Sequence, residues 1–352
     1  MNAVRPYRRS RDIARVRSCL WTWNDMQWLR YLPLIVLLAS SGLPPGATGA
    51  AERARLIRIG ALSQSWGPTP DVVGLRDGLL ELGYREEEDF VIGVRFTQGN
   101  LATLPAAAHQ LLQRGVDIIF THSGNTARAA QQATTRIPIV FAGVEDPVGA
   151  GLVQSFARPG GNITGVTGLD IELGPKRLQI FQELIPHLKR VLFLYDPRDA
   201  DSVEAAKVYR EAAHQLGIVL MEQPVRTEAE ARLSLTAVRQ NEVDGLLATR
   251  CCSLDLQGLA LEAASQQRIP IMFNSAGFWI ERGALASYGP DAYASGRQAA
   301  RLVAKILKGT KPADIPVEVN SKIEFTINLK TAKALGLTIA PEVLFQADKV
   351  VR

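Results

Sequence analysis

The segment Ser123-Gly124-Asn125-Thr126 places short polar side chains and a glycine directly before a predicted helix. Backbone N–H groups and the positive end of the helix dipole at such a start favour a carboxylate or another anion. Ser123, Asn125 and Thr126 are therefore candidate ligand-binding residues. Ordinary N-capping without a ligand explains the same residues equally well.

Two further residues could contact a ligand through different chemistry. Asp146 precedes Pro147 at the end of a predicted strand, where its carboxylate could accept hydrogen bonds from an ammonium group. The alternative is an aspartate that starts a turn before proline. Trp66 follows the first predicted strand, where its ring could stack on a flat ligand. Its alternative is a surface or packing role.

The ends of other predicted strands supply three more candidates, and a predicted connection supplies a fourth. In an open α/β sheet the ligand lies beyond the carboxyl ends of the strands. That rule selects Ser63, Asp196 and Asn274, each of which follows a strand-like run. Tyr288 lies where the chain is predicted to return to its first half, and packing is its alternative role.

The residue types do not assemble into a catalytic set. A nucleophile needs a base within hydrogen-bond reach, and the G-x-S-x-G motif is absent. His122 is next to Ser123, but neighbours on an extended strand point to opposite faces. Cys251 and Cys252 are adjacent and the four histidines are isolated, which disfavours a zinc site. We expect no enzymatic activity, no cofactor and no metal; the two thiols are either small apolar residues or a strained vicinal disulfide.

The composition predicts a globular body behind a basic N-terminal segment. The chain has 352 residues, 47% of them apolar, which argues against a disordered chain and a polytopic membrane protein. Lys and Arg total 40 against 35 Asp and Glu, but residues 1–50 alone hold seven arginines and two acids. The remainder is charge-balanced, so we expect no nucleic-acid partner.

Residues 1–50 have the features of a signal peptide. The apolar stretch 29–40 is shorter than the roughly 20 residues that span a bilayer. Turn-forming residues follow it, and Thr48-Gly49-Ala50 supplies the small residues that signal peptidase accepts. We predict cleavage after Ala50 and a periplasmic, monomeric mature chain without stable membrane insertion. A single-pass anchor is the alternative.

An internal repeat organises the rest of the chain. The runs 116–120 and 136–141 recur as 243–247 and 268–273, at offsets of 127 and 132 residues. The predicted strands are 57–62, 90–96, 117–121, 137–141, 191–195, 218–223, 245–248 and 269–273. The predicted helices are 70–82, 104–114, 126–133, 175–185, 202–216, 228–240 and 256–266. Nearly all-apolar strands separated by helices indicate parallel sheets covered on both faces, so we predict two doubly wound, Rossmann-like α/β lobes.

The lobes are predicted to share the chain unevenly. The first lobe comprises 56–165 plus about 287–318, and the second comprises 166–286 plus about 319–352. Residues 159–168 are rich in glycine, with β-branched residues at alternate positions, and we predict an extended hinge in which Gly165 and Gly168 rotate. A phosphate-binding loop is the rival interpretation, but neither G-x-x-x-x-G-K nor G-x-G-x-x-G is present.

Several motifs in order resemble the ABC transporter substrate-binding proteins of the tryptophan/tyrosine-type family. The resemblance covers roughly residues 56–350, nearly all of the predicted mature chain. The motifs that carry it are Arg58-Ile59-Gly60, Leu80-Glu81-Leu82-Gly83-Tyr84, Asp146-Pro147-Val148-Gly149-Ala150-Gly151-Leu152-Val153, Arg158-Pro159-Gly160-Gly161-Asn162-Ile163-Thr164-Gly165, Ser287-Tyr288-Gly289-Pro290-Asp291, Lys305-Ile306-Leu307-Lys308-Gly309, Lys311-Pro312-Ala313-Asp314-Ile315-Pro316 and Ile327-Asn328-Leu329-Lys330-Thr331-Ala332-Lys333-Ala334-Leu335-Gly336-Leu337.

The resemblance implies a type I periplasmic binding-protein fold, with two lobes, three crossovers and no catalysis. It also implies delivery of a small ligand to a membrane permease that a separate ATPase powers. Family members with known ligands bind aromatic amino acids, which agrees with a carboxylate at Ser123–Thr126 and an ammonium at Asp146. One departure concerns ligand identity: 195–202 is more acidic than the family's Asn/Ser-rich loop, and Arg250-Cys251-Cys252 replaces a polar stretch.

Two other classes of protein share this scaffold. An enzyme such as a glycosyl or nucleotide-sugar transferase would need a phosphate cradle or a charged catalytic pair between the lobes. A sensor domain of the repressor type would need an N-terminal helix-turn-helix, whereas residues 1–50 carry the features of an export signal.

Overall fold

The structure, a computed structural model, describes residues 55–352 apart from 66, 240, 249–253, 255, 276 and 278. The predicted signal peptide, Trp66, Arg250 and the adjacent cysteines lie outside these residues. No helix within the described ranges has the length and hydropathy needed to span a bilayer.

The first sheet holds six strands among the described residues, and every neighbouring pair is parallel. These strands are β1 (Ile57–Ser63), β2 (Phe90–Phe96), β3 (Ile118–Thr121), β4 (Ile139–Val144), β5 (Ile163–Thr167) and β11 (Glu318–Val319). Their order across the sheet is β11-β5-β4-β3-β1-β2. All carboxyl ends therefore lie along one edge of the sheet.

The second sheet holds seven strands within the same described ranges. They are β6 (Arg190–Tyr195), β7 (Val219–Pro224), β8 (Gly245–Ala248), β9 (Ile271–Phe273), β10 (Ala286–Pro290), β12 (Ile323–Asn328) and β13 (Lys349–Val351). Their order is β13-β12-β10-β9-β8-β6-β7, and only the pair β10 and β12 is antiparallel. The predicted parallel α/β architecture is confirmed in both halves.

Helices connect the strands as the alternating sequence pattern predicts. They are α1 (Pro70–Glu81), α2 (Leu104–Gln113), α3 (Gly124–Ala133), α4 (Gly174–Leu184), α5 (Ala200–Leu216), α6 (Glu228–Ala237), α7 (Leu256–Gln267), α8 (Ala292–Leu307), α9 (Leu329–Ala334) and α10 (Pro341–Gln346). Helix α3 begins two residues earlier than predicted, because Ser123 caps it and Gly124 already has helical geometry.

Each sheet is covered by helices on both faces, which explains why its strands are apolar on both sides. On one face of the first sheet, Leu75 of α1 and Val303 of α8 pack with Phe90. On the other face, Leu111 of α2 and Phe141 of β4 belong to a separate buried cluster. The second sheet likewise has two buried clusters. Because each buried side chain of this size contributes about 1.5–3 kcal/mol, the two faces of each sheet are the main source of lobe stability.

The chain passes between the two lobes three times. It leaves the first lobe after β5 through 168–173 and returns after β10, because α8 packs on α1, β4 and β5. It enters the second lobe again between β11 and β12. Residues 166–167 thus lie in the first sheet and 287–290 in the second, the reverse of the predicted division at those positions.

The predicted hinge at Gly165 is wrong. Gly165 lies inside β5, which is buried throughout and paired with β4 and β11. A Cβ atom on Gly165 would lie 2.3 Å from the carbonyl oxygen of Phe141, so glycine permits close packing there rather than rotation. Gly168 follows the strand and belongs to the first connection between the lobes.

Candidate ligand-binding site

Helix starts from the two lobes approach each other at the carboxyl ends of the strands. The position of a Cβ atom on Gly124, at the start of α3, lies 3.9 Å from Oδ2 of Asp201, at the start of α5. Helix α3 packs in the first lobe and α5 in the second. The space between the lobes is therefore bordered by strand ends and helix starts, where the sequence places its candidate residues.

The start of α3 is built by a reciprocal cap. Oγ of Ser123 accepts from the backbone N–H of Thr126 at 3.3 Å, and Oγ1 of Thr126 accepts from the N–H of Ser123 at 3.1 Å. Both side chains are buried, and Asn125 is half-buried. The N-capping interpretation thus holds for Ser123 and Thr126. The first N–H groups, those of Gly124 and Asn125, have no acceptor within the helix and remain suited to an anion.

Ser63 lies beside this helix start through contacts with His122. Its Oγ is 2.9 Å from Nε2 of His122 and 2.6 Å from Oγ of Ser65. The backbone N–H of Gln64 also donates to Nε2, at 3.3 Å. Oγ of Ser123 in turn donates to Oε1 of Gln64 at 2.7 Å. Ser63 and Ser123, far apart in sequence, therefore belong to one hydrogen-bonded group that holds the segment leading to Trp66.

Two predicted acceptors are engaged in local turns. Asp146 is exposed, and its Oδ1 accepts from the N–H of Gly149 at 2.8 Å, which is the turn alternative that the sequence left open. Asp196 is fully buried and accepts from Nε and Nη2 of Arg198 at 2.9 and 2.7 Å. Neither contact brings these two carboxylates together, and their roles toward a ligand stay predictions.

Asn274 and Tyr288 are joined through residues that the sequence analysis missed. Nδ2 of Asn274 donates to Oδ2 of Asp170, and its Oδ1 accepts from Nε2 of Gln257 at 2.9 Å. The ring of Tyr288 packs edge-on against Phe325 in the second lobe, with ring centroids 6.2 Å apart. The ring of Tyr288 therefore has a packing contact, and its role toward a ligand stays a prediction.

Arg177 is the centre of this missed group. It is fully buried on α4, and its Nε donates to the carbonyl oxygen of Tyr288 at 2.6 Å. Its other nitrogens donate to the hydroxyl of Tyr209 and to Oδ1 of Asp170, the latter at 2.5 Å. Each nitrogen of the guanidinium therefore has a hydrogen-bond partner, as a buried charge requires.

Burial and charge interactions shift the pKa values of Arg177 and Tyr209. Burial alone would lower the pKa of Arg177, but interactions with Tyr209 and Asp170 outweigh it and raise the pKa. Burial raises the pKa of Tyr209 to about 12, against the opposing effect of the guanidinium. Arg177 is therefore charged and Tyr209 neutral at physiological pH.

Only part of this group had a signal in the sequence. Arg177 shares the helical face of Leu178, Phe181 and Leu184, so an arginine on an apolar stripe could have been recognised as a buried charge. Asp170 lies in an irregular connection, where no periodicity indicates its partners. Within the described ranges, no group of three or more His, Cys, Asp or Glu residues could hold a metal ion.

Two α/β lobes that approach each other at the carboxyl ends of their strands form the architecture of periplasmic solute-binding proteins. The sequence pattern of the family described as ABC transporter substrate binding protein matches residues 68–351. The chain therefore belongs to this family. It is a solute-binding protein of an ABC transporter and not an enzyme.

Individual relatives agree with this assignment. The chain is 29% identical to a tyrosine-binding protein of Clostridioides difficile (strain R20291) over 266 residues, 75% of this chain and 76% of the relative. A conserved domain protein from Vibrio cholerae has 30% identity and a TM-score of 0.75, covering 85% of this chain and all of that structure. An ABC domain from Streptococcus pneumoniae in complex with L-Trp has 27% identity and a TM-score of 0.73, covering 84% and 99%.

Proposed function

We propose that this protein is the exported receptor of an ABC importer, which captures an amino acid or a related metabolite between its lobes. It then delivers the ligand to a membrane permease that a separate ATPase powers. The observation that carries the proposal is the approach of Gly124 to Asp201 across the strand ends, in a chain whose family match extends over 68–351.

The ligand class follows from the polar groups and from the relatives. The relatives include a tyrosine-binding protein and a domain in complex with L-Trp, so aromatic amino acids are the first candidates. A ligand carboxylate fits the N–H groups at the start of α3, near Asn125 and Thr126. Trp66 directly follows the hydrogen-bonded residues Ser63 and Ser65 in sequence, and we expect its ring to stack on the aromatic side chain of the ligand.

Localisation and assembly are part of the same proposal. Residues 1–50 act as a signal peptide cleaved after Ala50, and the mature protein is a periplasmic monomer. The support is the short apolar stretch at 29–40 and the charge balance of the remaining chain. The lobe boundaries follow the two sheets, with 168–173, the segment after β10 and the segment after β11 as connections.

A thermal-shift screen of the protein against all amino acids and related amines tests the proposal. A ligand at 100 times its Kd stabilises the folded state by about 2.7 kcal/mol, which is a measurable rise in Tm. Mass spectrometry of the purified protein identifies any retained ligand. The proposal fails if no compound raises Tm and no small molecule is released on denaturation.

A further inference from the structure

We propose that Asp170 receives the amino group of the ligand and that Arg177 positions its carboxylate for this role. The inference rests on the proposed function, because it takes the ligand to be an amino acid or a related amine. It moves the ammonium site from Asp146 to the first connection between the lobes.

Asp170 has contacts on both sides of that connection. Its backbone N–H donates to Oε2 of Glu145, which follows β4 in the first lobe, at 2.8 Å. Its carboxylate accepts from Arg177 and Asn274, both in the second lobe. Both lobes therefore hold Asp170, and its carboxylate lies beside Asn274, which follows β9 at the carboxyl end of the second sheet.

Its partners fix the direction of the carboxylate. Arg177 is held by Tyr209 and by the carbonyl oxygen of Tyr288, so its guanidinium cannot turn away. The amide of Asn274 has one orientation, because Gln257 donates to its oxygen and leaves its nitrogen to face Asp170. A carboxylate held by two immobile donors is preorganised for a third.

The carboxylate keeps room for that third donor. Each carboxylate oxygen can accept two hydrogen bonds. Arg177 uses one position on Oδ1 and Asn274 one on Oδ2, and the side chain remains 13% exposed. An ammonium group has three donors and a positive charge, so it matches the open positions of an acceptor-only group.

Asp146 lacks these features. Its side chain is exposed to water, and one oxygen is committed to the N–H of Gly149 in its own turn. A hydrogen bond from the ligand to an exposed carboxylate competes with water and contributes little to affinity. The same bond to the largely buried Asp170 has less competition from water and contributes more. Asp146→Asn is therefore a matched control for Asp170→Asn.

The test compares a ligand with its deaminated analogue. Calorimetry on the full-length protein measures L-tryptophan against indole-3-propionate, and L-tyrosine against 3-(4-hydroxyphenyl)propionate. We expect Asp170→Asn to weaken binding of the amino acid at least tenfold and of the analogue less than threefold. Asp146→Asn should change neither by more than threefold. Arg177→Met should reduce the preference for the amino acid in the same way, which a purely structural role would not do.

Each outcome decides the proposal. Equal losses for both ligands, no loss in Asp170→Asn, or a selective loss in Asp146→Asn overturns it while leaving the proposed function intact. If wild type binds neither aromatic amino acid, the amino acid from the screen and its deaminated analogue replace them. A wild type that binds no amine at all overturns the proposed function as well. If Asp170→Asn does not fold, Asp170→Glu retains the charge facing Arg177 but displaces it, and must still lose the preference.

Discussion

The side-chain amide of Asn320 donates to the backbone carbonyl oxygen of Asp291 at 3.0 Å, joining two of the three connections between the lobes. The same nitrogen contacts Oγ of Ser295 at 2.8 Å, and Oδ1 accepts from the N–H of Lys322 at 3.0 Å. The backbone N–H of Asn320 donates to the carbonyl oxygen of Thr167 at 2.9 Å, at the end of β5 where the remaining connection begins. One buried residue therefore ties all three connections together.

Asn320→Ala should loosen these connections without disturbing either sheet. The substitution removes the side-chain bonds to the carbonyl oxygen of Asp291, to Oγ of Ser295 and from the N–H of Lys322, which costs about 1–3 kcal/mol of unfolding free energy. We expect faster amide hydrogen exchange in 291–295 and 320–322, the two connections that the side chain joins.

Asn162→Ala is the matched control for this experiment. Nδ2 of Asn162 donates to the carbonyl oxygens of Thr134 and Ile137 at 3.1 and 2.7 Å, within the first lobe alone. It should destabilise the protein without faster exchange at the connections. Equal exchange in the two variants would show that Asn320 is not the common tie.

Gly165→Ala should destabilise the first lobe by overpacking. The new methyl group would lie 2.3 Å from the carbonyl oxygen of Phe141 and 2.5 Å from its ring. Displacing that buried strand costs about 1–3 kcal/mol in urea unfolding. Gly161→Ala, where no atom lies within 4 Å of the new methyl group, should be close to neutral. If Gly165→Ala left the stability unchanged, the steric explanation would be wrong and a hinge at Gly165 would again be possible.

The raised pKa of Tyr209 predicts that the protein loses stability at alkaline pH. Its pKa rises from 10 in the unfolded chain to about 12 in the folded protein, because burial disfavours the tyrosinate. The folded state keeps its proton longer, so this contribution is complete below pH 10 and is lost as pH rises through 12. The loss is about 1.4 kcal/mol for each pH unit in that window.

Urea unfolding at several pH values between 9 and 11, for wild type and Tyr209→Phe, isolates this contribution. The variant is less stable at every pH because Arg177 loses an acceptor. The difference between the two proteins should narrow above pH 10. A constant difference across the series contradicts the raised pKa.

Trp66→Ala should weaken an aromatic amino acid more than an aliphatic one. Stacking of two aromatic rings contributes about 0.5–1.5 kcal/mol beyond the buried area, roughly a twofold to twelvefold change in Kd. Calorimetry with L-tryptophan and L-leucine measures the two effects. Trp66→Phe keeps an aromatic face and should retain most of the affinity for L-tryptophan. Equal losses for both ligands in Trp66→Ala would assign Trp66 to packing.

The regular elements were predictable because each carries a periodic signal. Apolar runs such as Ile118–Thr121, between amphipathic helices, have few alternatives to a buried parallel strand. Strand β5 resembles a hinge in sequence because its one glycine, Gly165, lies among the glycines of 160–168. The reason for Gly165 is steric and lies in the neighbouring strand, where Phe141 leaves no room for a Cβ atom.

The site was harder to predict, because its residues meet only in three dimensions. The helix start at Ser123 has a local signature, and the structure retains it as a cap. Asp146 had an equally local explanation, and the contact with Gly149 matches it. Asp170 meets Asn274 across 104 positions of sequence, in an irregular connection where residue type alone indicates no partner.

The interleaved path of the chain constrains how the protein reaches its native state. The first sheet is completed by β11, which is synthesised after most of the second lobe. The second sheet is completed by β13, at Lys349–Val351. Helix α8, which covers α1 and β4, also comes late in synthesis. The first lobe therefore cannot finish folding before most of the second has been synthesised, and the second cannot finish before β13 has been made. Such a chain remains open to binding by chaperones for longer than one whose domains are continuous in sequence.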